Sequence, residues 1–188
     1  MFNLQVIVAS TRDERKGPLV AAWFMEQARR DGRFQVELVD LAVVGLPLMD
    51  EPRHPRLRQY EHEHTRRWSA VVERADAFVF VTPEYNFGPP PALVNALDYL
   101  VQEWAYKPVG FVSYGGVSAG LRSVQMTKQV VAALRMVPVV EAVSIPFFAK
   151  HIDAEAGTFD PGEVQEKAST AMLTELLKWA GALKPLRG

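Results

Sequence analysis

The sequence contains no cysteine among its 188 residues. This absence excludes disulfides, thiolate catalysis, and zinc or iron–sulfur centres held by cysteine. The sequence also has no run of about 18 apolar residues, so we expect no membrane-spanning segment and no membrane partner. The amino terminus, Met1–Leu4, lacks the basic residues that open a signal peptide, and the apolar run after it has only the length of a strand. We therefore expect a cytoplasmic protein.

An excess of one charge is also absent, because 21 basic residues nearly balance 22 acidic ones and leave a formal net charge of -1. A nucleic-acid-binding surface normally needs a basic face, so we expect no nucleic-acid partner. Histidine is rare, with 4 residues. His62 and His64 lie two positions apart on an expected helix, which places them on different faces, and we predict no metal site.

What is present is a regular alternation of short β-prone runs and helix-length segments, which we interpret as one domain over residues 1–188. The expected strands are Leu4–Ala9, Gln35–Val39, Ala77–Thr82, Val109–Ser113 and Val137–Val143. The expected helices are about Gly17–Arg30, Arg56–Arg74, Pro91–Val101, Gly120–Arg135 and Pro161–Leu183. Most of the strands are apolar without strict alternation, which is typical of a parallel sheet covered on both faces. The sequence therefore predicts an α/β, three-layer flavodoxin-like fold, with a five-stranded parallel sheet in the order 2-1-3-4-5 and helices on both faces.

Two segments carry more specific expectations. For the last helix, Asp160 is the expected N-cap, Pro161 suits the first turn, and Glu163 completes a capping-box pattern. The segment Leu41–Pro55 contains three prolines and is the least regular part of the chain. We expect it to form a long loop over the carboxyl edge of the sheet or into a partner.

Three polar loops follow the first, third and fourth expected strands. We call them the first loop (Ser10–Pro18), the second loop (Pro83–Pro90) and the third loop (Ser113–Gly120). These strands are adjacent in the predicted order, and the carboxyl ends of parallel strands are where ligands bind in open α/β sheets. We therefore expect the three loops to converge on one ligand.

The first loop has the chemistry of a phosphate site. It opens a helix, so backbone N–H groups and the helix dipole favour an anion there. Hydroxyls and cations add to this, namely Ser10, Thr11, Arg12, Arg15 and Lys16. The loop is neither a G-x-G-x-x-G loop nor a Walker A sequence, which argues against a dinucleotide or a nucleoside triphosphate. The alternative is a solvated charged turn with a serine cap.

The second and third loops have the chemistry of a site for a flat ligand. In the second, Tyr85 and Phe87 offer ring faces, Asn86 offers donors and acceptors, and the prolines stiffen the backbone. The glycines of the third loop allow close approach of the backbone, and Tyr114 is expected to lie along a ring. The alternatives are a proline-stiffened connection whose aromatic residues fill the core, and a flexible βα turn.

These motifs resemble one known family. The segments Ala9-Ser10-Thr11-Arg12 and Pro83-Glu84-Tyr85-Asn86, the latter followed by Asn95-Ala96 and Asp98, and then Ser113-Tyr114-Gly115-Gly116 with Gly120 and Arg122, resemble the NADPH-dependent FMN reductase family over about residues 3 to 140. The resemblance implies FMN as cofactor, NADPH or NADH as electron donor, and a homodimer or homotetramer. Residues carried over for the FMN phosphate are Ser10, Arg12, Lys16, Gly17, Pro18 and Leu19. Those for the isoalloxazine are Pro83, Glu84, Tyr85, Asn86, Phe87, Ser113, Tyr114, Gly115, Gly116 and Gly120.

The predicted function is an FMN-dependent NAD(P)H oxidoreductase with a small-molecule acceptor: a flavin, a quinone, an azo or nitro compound, or a metal oxyanion. Hydride transfer through a flavin needs no catalytic side chain, and we assign none. The alternative is a flavodoxin-like electron carrier without NAD(P)H turnover, which the balanced charge disfavours. For the oligomer, Leu97, Leu100, Val101 and Trp104 recur at helical spacing and offer an apolar face; Trp104 and Tyr106 are either core residues or reach a partner's flavin pocket.

Overall fold

The structure is a computed structural model and describes residues 1–187. Its main sheet has five parallel strand positions in the order predicted from the sequence. In chain order the first elements are β1 (Phe2–Val8), α1 (Gly17–Asp31), β2 (Phe34–Asp40), the single turn α2 (Leu41–Val44), α3 (Glu63–Glu73), β3 (Ala77–Thr82) and α4 (Pro91–Asp98). They are followed by β4 (Pro108–Tyr114), α5 (Leu121–Ala133), β5 (Val137–Pro138), β6 (Val143–Ile145), β7 (Ile152–Asp153), β8 (Thr158–Phe159) and α6 (Glu163–Leu183).

The fifth strand position is shared by two short strands. Both β5 and β6 pair in parallel with β4, Val137 beside Pro108 and Val143 beside Val112. The sequence predicted one continuous strand over Val137–Val143. The structure interrupts it after Pro138, whose nitrogen carries no proton to donate to a ladder, and such prolines are confined to edge strands.

Helices cover both faces of the sheet, as the unbroken apolar character of its central strands requires. All six residues of β3 and all seven of β4 are buried. One core lies beneath α1 and α6 and contains Phe24, Val79 and Leu176. The other lies beneath α3, α4 and α5 and contains Trp68, Phe80 and Trp104. No helix among residues 1–187 has both the length and the apolar character to cross a membrane.

The apolar face expected to hold a partner subunit belongs to the second core. Leu97 and Leu100 are fully buried, and the Trp104 ring packs against Trp68 and Phe78. The prediction of an oligomer from this face was therefore wrong for Leu97, Leu100 and Trp104, because these side chains pack into the core of their own chain, whereas Val101 is half-buried. Of the two readings of Trp104, the structure supports the core residue.

Two helix starts also differ from the predictions. Helix α3 begins at Glu63 and not at Arg56, since Pro55–Leu57 forms a separate 3-10 turn and Arg58 has a left-handed backbone with φ 51°. Helix α6 begins at Glu163, and its N-cap is Gly162. Asp160 instead accepts a hydrogen bond from the Gly162 N–H, so the expected capping box does not form.

The Leu41–Pro55 segment lies against α4. The Asn95 side chain donates to the Pro47 carbonyl (2.7 Å) and accepts from the Met49 N–H (2.9 Å). Asp50 accepts from the Tyr99 hydroxyl at 3.0 Å and lies 2.9 Å from Nε2 of His64. Most of this long loop thus has fixed partners within its own chain.

Candidate flavin site

The three loops meet at one edge of the sheet. Strand β1 pairs in parallel with β3, and β3 pairs in parallel with β4, so the three strands end side by side. The Ala9 N–H donates to the Val81 carbonyl at 3.0 Å, which extends the pairing up to the first loop. The predicted position of the three loops at one edge of the sheet is therefore confirmed.

The cations of the first loop have different surroundings. The Arg15 guanidinium forms an ion pair with Asp40 at 2.7 Å and donates to the Ser10 carbonyl at 3.0 Å, so it braces the loop. Arg12 is exposed and has no ion pair within Met1–Arg187; its guanidinium lies 5.8 Å from the centre of the Tyr85 ring. Lys16 is also exposed, directly before the first turn of α1. Arg12 and Lys16 are thus the cations of this loop that can meet an anion.

The floor of the first loop is closely packed around Gly17. A Cβ at Gly17 would overlap the Ser10 hydroxyl and lie 2.9 Å from the Tyr114 hydroxyl. The Tyr114 hydroxyl donates to Ser10 Oγ at 3.4 Å, and both residues are buried. Pro18 and Leu19 lie half-buried in the first turn of the helix. Glycine at position 17 therefore lets α1 begin close to the end of β4.

The placement of Tyr114 differs from the expectation that its ring lies along a ligand. The side chain is only 3% exposed, and its ring packs edge-on against Phe148 with the centroids 5.1 Å apart. Burial raises the pKa of its hydroxyl to about 12, so this group stays protonated and remains a donor. Tyr114 supports the floor beneath Ser10 and does not present its ring at the surface.

The second loop ends in a tight two-residue turn. Tyr85 and Gly88 exchange both backbone hydrogen bonds at 2.9 Å, and between them Asn86 and Phe87 have positive φ values of 50° and 70°. The turn pushes Asn86 and Phe87 outward, and Phe87 is 63% exposed. The preceding Pro83 is buried. An exposed ring and an exposed amide at this edge are the groups that the sequence assigned to a flat ligand.

Glu84 lies behind this turn and points to the third loop. Its carboxylate accepts hydrogen bonds from the Ser118 hydroxyl at 3.2 Å and from Arg122 Nε at 2.6 Å. Burial raises the pKa of this carboxyl, but the hydrogen bonds and charge of Arg122 outweigh burial and hold the pKa below its usual value. Glu84 is therefore ionised, and its carboxylate oxygens accept hydrogen bonds from groups of the protein itself.

The third loop is braced by a segment that the sequence did not assign to the site. The N–H groups of Phe147 and Phe148 donate to the carbonyls of Gly116 and Gly115 at 2.9 and 3.1 Å. Gly120 has φ 77°, and a Cβ there would lie 2.9 Å from the Tyr114 carbonyl, whereas a Cβ on Gly116 would meet nothing within 4 Å. Gly116 thus borders open space, and the buried Ser113 lies in β4 beside Thr82. The run Pro146-Phe147-Phe148 directly after β6 was the available signal for this segment.

His62 and His64 do not lie on opposite faces of a helix, because His62 precedes α3 as its N-cap. Their rings stack with centroids 5.2 Å apart, beside Asp50. Within Met1–Arg187, no group of three or more histidine, cysteine or acidic side chains has the arrangement of a metal site. The two histidines contact the Leu41–Pro55 segment and not the three loops.

Comparison with known proteins agrees with this geometry. The model of the family described as NADPH-dependent FMN reductase matches residues 2–150. The chain belongs to this family. It is 42% identical over 148 residues to an NAD(P)H-dependent FMN reductase of Schizosaccharomyces pombe, covering 77% of this chain and 74% of that relative. It is 33% identical over 120 residues to an NADPH azoreductase of a Bacillus species, covering 63% of this chain and 62% of that relative.

Among solved structures, the fold of this FMN reductase superposes with a TM-score of 0.76 on FerB, a flavoenzyme NAD(P)H:(acceptor) oxidoreductase from Paracoccus denitrificans. The two share 21% identity, over 97% of this chain and 99% of that one. That likeness confirms the flavodoxin-like fold. Membership of the family makes the protein an oxidoreductase that uses FMN and NAD(P)H.

The residues at the edge of the sheet fit FMN. The first loop offers the start of a helix and two cations without ion pairs among residues 1–187, which suits one phosphate. The second and third loops offer an exposed aromatic ring, an exposed amide and an open glycine, which suit a flat ring with polar edges. The donor set and the open space therefore match a mononucleotide flavin.

Proposed function

We propose that FMN binds across the three loops and that NAD(P)H and the electron acceptor use its exposed face. The supporting observation is the adjacency of three strands whose loops carry, in order, free cations, exposed aromatic and amide groups, and glycine backbone. The proposed phosphate residues are Ser10, Arg12, Lys16, Gly17, Pro18 and Leu19. The proposed ring residues are Pro83, Tyr85, Asn86, Phe87, Ser113, Gly115, Gly116 and Gly120, with Glu84 and Tyr114 acting through their protein partners.

The side chains of this site would bind and orient FMN, and bound FMN would supply the redox chemistry that links NAD(P)H to an acceptor. Arg12 and Lys16 neutralise the phosphate next to the α1 dipole. The Tyr85–Gly88 turn fixes a ring and an amide at the flavin edge. Orientation and exclusion of water are what a hydride transfer requires of its protein.

The visible spectrum of purified protein tests this function directly. We expect flavin absorption from bound FMN, and bleaching of that band when NADPH or NADH is added without oxygen. Titration of apoprotein should show tighter binding of FMN than of FAD, because the first loop is built for one phosphate and the chain has no second glycine-rich phosphate loop. A coloured protein that neither nucleotide bleaches would identify an electron carrier instead.

For the acceptor, we propose a flat, mainly apolar molecule such as a quinone or an azo compound. Large apolar side chains border the open edge, with Phe87 63%, Val117 80% and Phe147 48% exposed. The Bacillus relative is named as an azoreductase. Turnover of a benzoquinone and an azo dye should therefore exceed turnover of chromate at equal concentration. Equal or faster reduction of chromate would contradict this choice.

We also propose a homo-oligomer, a dimer or a tetramer. Support comes from Val43 and Leu48, which are each 83% exposed in the segment that lies against α4. Light scattering at micromolar concentration should give at least twice the 21.0 kDa of one chain. A single domain, a cytoplasmic location and the absence of a nucleic-acid partner stay predictions, to be tested by limited proteolysis, cell fractionation and a DNA-binding assay.

A further inference from the structure

Glu84 occupies an unusual position between two of the site loops. It belongs to the second loop, yet the hydrogen bonds of its carboxylate go to the third loop and the start of α5. The Ser118 hydroxyl and the Arg122 N–H each donate to Oε2 at 3.2 Å, and Arg122 Nε donates to Oε1 at 2.6 Å. Arg122 Nη2 completes the ion pair. The Glu84 side chain is 8% exposed and the Arg122 side chain 48%, so the carboxylate is covered by the protein while the guanidinium remains open to solvent.

The Glu84 carboxylate supplies the hydrogen-bond acceptor that the N-terminus of α5 lacks. Helix α5 follows Gly120, which has a left-handed backbone and no side chain with which to cap the helix. The first N–H groups of a helix need an acceptor, and a negative charge there is favoured by the helix dipole. Glu84 accepts the Arg122 N–H in the first turn and therefore caps α5 from another loop.

Arg122 also contacts the tip of the second loop. Its guanidinium lies 3.8 Å from the centre of the Phe87 ring, so one arginine contacts both Glu84 and the tip of the same turn. Asn86 and Phe87 on that tip, and Ala119 in the third loop, all have positive φ, which is uncommon for residues other than glycine. Conformations of this kind persist where surrounding contacts hold them. The Glu84–Arg122 pair provides such contacts to both loops.

We propose that the Glu84–Arg122 pair positions the second loop against the third, and that Glu84 acts on the flavin through this pair and not by touching the ring. The proposal rests on the proposed function insofar as these two loops hold FMN. It assigns Arg122 a different role from Arg12: Arg122 is held between a carboxylate and an aromatic ring, whereas Arg12 is left to meet the phosphate. Loss of the pair should loosen both loops at once and widen the space for the ring.

The test compares Glu84→Gln and Arg122→Lys with a matched control. Glutamine keeps the shape of the side chain but loses its charge, and lysine keeps the charge but loses the planar fork and the stacking on Phe87. The control is Glu26→Gln, because Glu26 is also paired with an arginine (Arg30, 2.7 Å) but lies on the exposed face of α1. The readouts are FMN affinity by fluorescence titration and hydrogen exchange of segments 84–90 and 115–123 in apoprotein.

We expect Glu84→Gln to weaken FMN binding by roughly tenfold, as for the loss of a charge-assisted hydrogen bond to a covered carboxylate. Exchange should accelerate in both segments, and Glu26→Gln should change neither readout. The double variant Glu84→Gln with Arg122→Lys should bind FMN about as weakly as the weaker single variant, because both changes break one pair. Additive losses would overturn the proposal, and so would faster exchange confined to segment 84–90.

Two further outcomes are separable. If the wild type bound no FMN, the proposed function would fail, while the exchange readout would still decide whether the pair holds both loops. If Glu84→Gln apoprotein were unfolded, Ser118→Ala would take its place, since it removes only the hydrogen bond at 3.2 Å. That variant should show smaller changes of the same kind in both segments, and unchanged exchange in segment 84–90 would contradict the proposal.

Discussion

At the scale of single residues, Arg12 and Arg15 of the first loop have the same type of side chain but different surroundings. Arg15 is committed to Asp40 and to the Ser10 carbonyl, so its charge is already balanced. Arg12 is exposed, three positions earlier, and has no carboxylate partner among residues 1–187. Only a group without a partner can contribute its full charge to a ligand, and this makes Arg12 the residue to test.

We predict that Arg12→Ala weakens FMN binding by roughly ten- to a hundredfold, because a charge-assisted contact to phosphate contributes about 1.5–3 kcal/mol. Fluorescence titration of apoprotein measures this. Arg29→Ala, an exposed arginine at the far end of α1, is the control and should leave the dissociation constant unchanged. An unaltered dissociation constant in Arg12→Ala would mean that Lys16 or the helix start holds the phosphate alone.

Gly17 supports a second prediction at this scale. A methyl group there would overlap Ser10 Oγ and press on the Tyr114 hydroxyl, both of them buried. We expect Gly17→Ala to lower the free energy of unfolding by about 1–3 kcal/mol, as overpacking does, and to weaken FMN binding by displacing Ser10. Gly181→Ala is the matched control: it lies in α6 with nothing within 4 Å of a new Cβ, and should raise stability by about 0.5–1 kcal/mol. Urea unfolding of both variants measures the expected decrease in stability for Gly17→Ala and the expected increase for Gly181→Ala.

At the scale of elements, the sequence predicted best those whose signal is local. The apolar runs of β3 and β4 are found within a residue of their expected bounds, since burial on both faces leaves an unbroken apolar run. The sequence placed the start of α3 at Arg56 because no strong helix-breaking residue follows Pro55 in the charged stretch before Glu63. This prediction was wrong, since the helix begins at Glu63. The capping box of α6 failed because Asp160 bonds to Gly162 instead, a choice that depends on backbone angles.

The carboxyl end of α3 carries a buried charge that nothing local predicts. The ammonium of Lys107, just before β4, donates to the Val72 and Glu73 carbonyls at 2.9 Å each. Burial lowers the pKa of Lys107 from 10.5 to about 8, against the opposing charge of Glu73. The unfolded chain therefore binds more protons than the folded one between about pH 8 and 10.5, and folding stability from this group rises with pH across that window.

We predict that the stability of the wild type relative to Lys107→Met rises between pH 7 and pH 10, by up to about 3 kcal/mol. Urea unfolding of both proteins at pH 7, 8.5 and 10 measures the difference, so that other titrating groups cancel. The same series with Lys178→Met, whose ammonium is exposed on α6, is the control for removal of a lysine from the surface. A difference for Lys107→Met that did not change with pH would show that this lysine titrates near its ordinary pKa.

At the scale of the whole molecule, the position of the candidate site could be predicted from the sequence, but the contacts that support its loops could not. Position followed from topology, because adjacent parallel strands end together and their loops must meet. The supports depend on contacts between residues distant in the chain: Ser10 with Tyr114, Glu84 with Arg122, Gly116 with Phe147. Each of these side-chain or backbone groups has several suitable partners in the sequence. The apolar repeat after the second loop was likewise consistent with a partner surface or with a core. The burial of Trp104 shows that this residue belongs to the core.

The open edge of the proposed site leads to a last prediction, about the order of events. Asn86 and Phe87 are exposed and Gly116 borders open space, so we expect the nicotinamide and the acceptor to use the same side of the flavin in turn. We predict a ping-pong cycle, with parallel double-reciprocal lines when NADPH is varied at several acceptor concentrations. Asn86→Gly keeps the left-handed turn, which glycine adopts readily, and removes only the amide.

Asn86→Gly should therefore lower FMN affinity and the rate of flavin reduction together, as followed by stopped flow at the visible band. His62→Ala, outside the three loops, is the control and should change neither. Intersecting lines would contradict alternate use of one face, because they require both substrates to be bound at once.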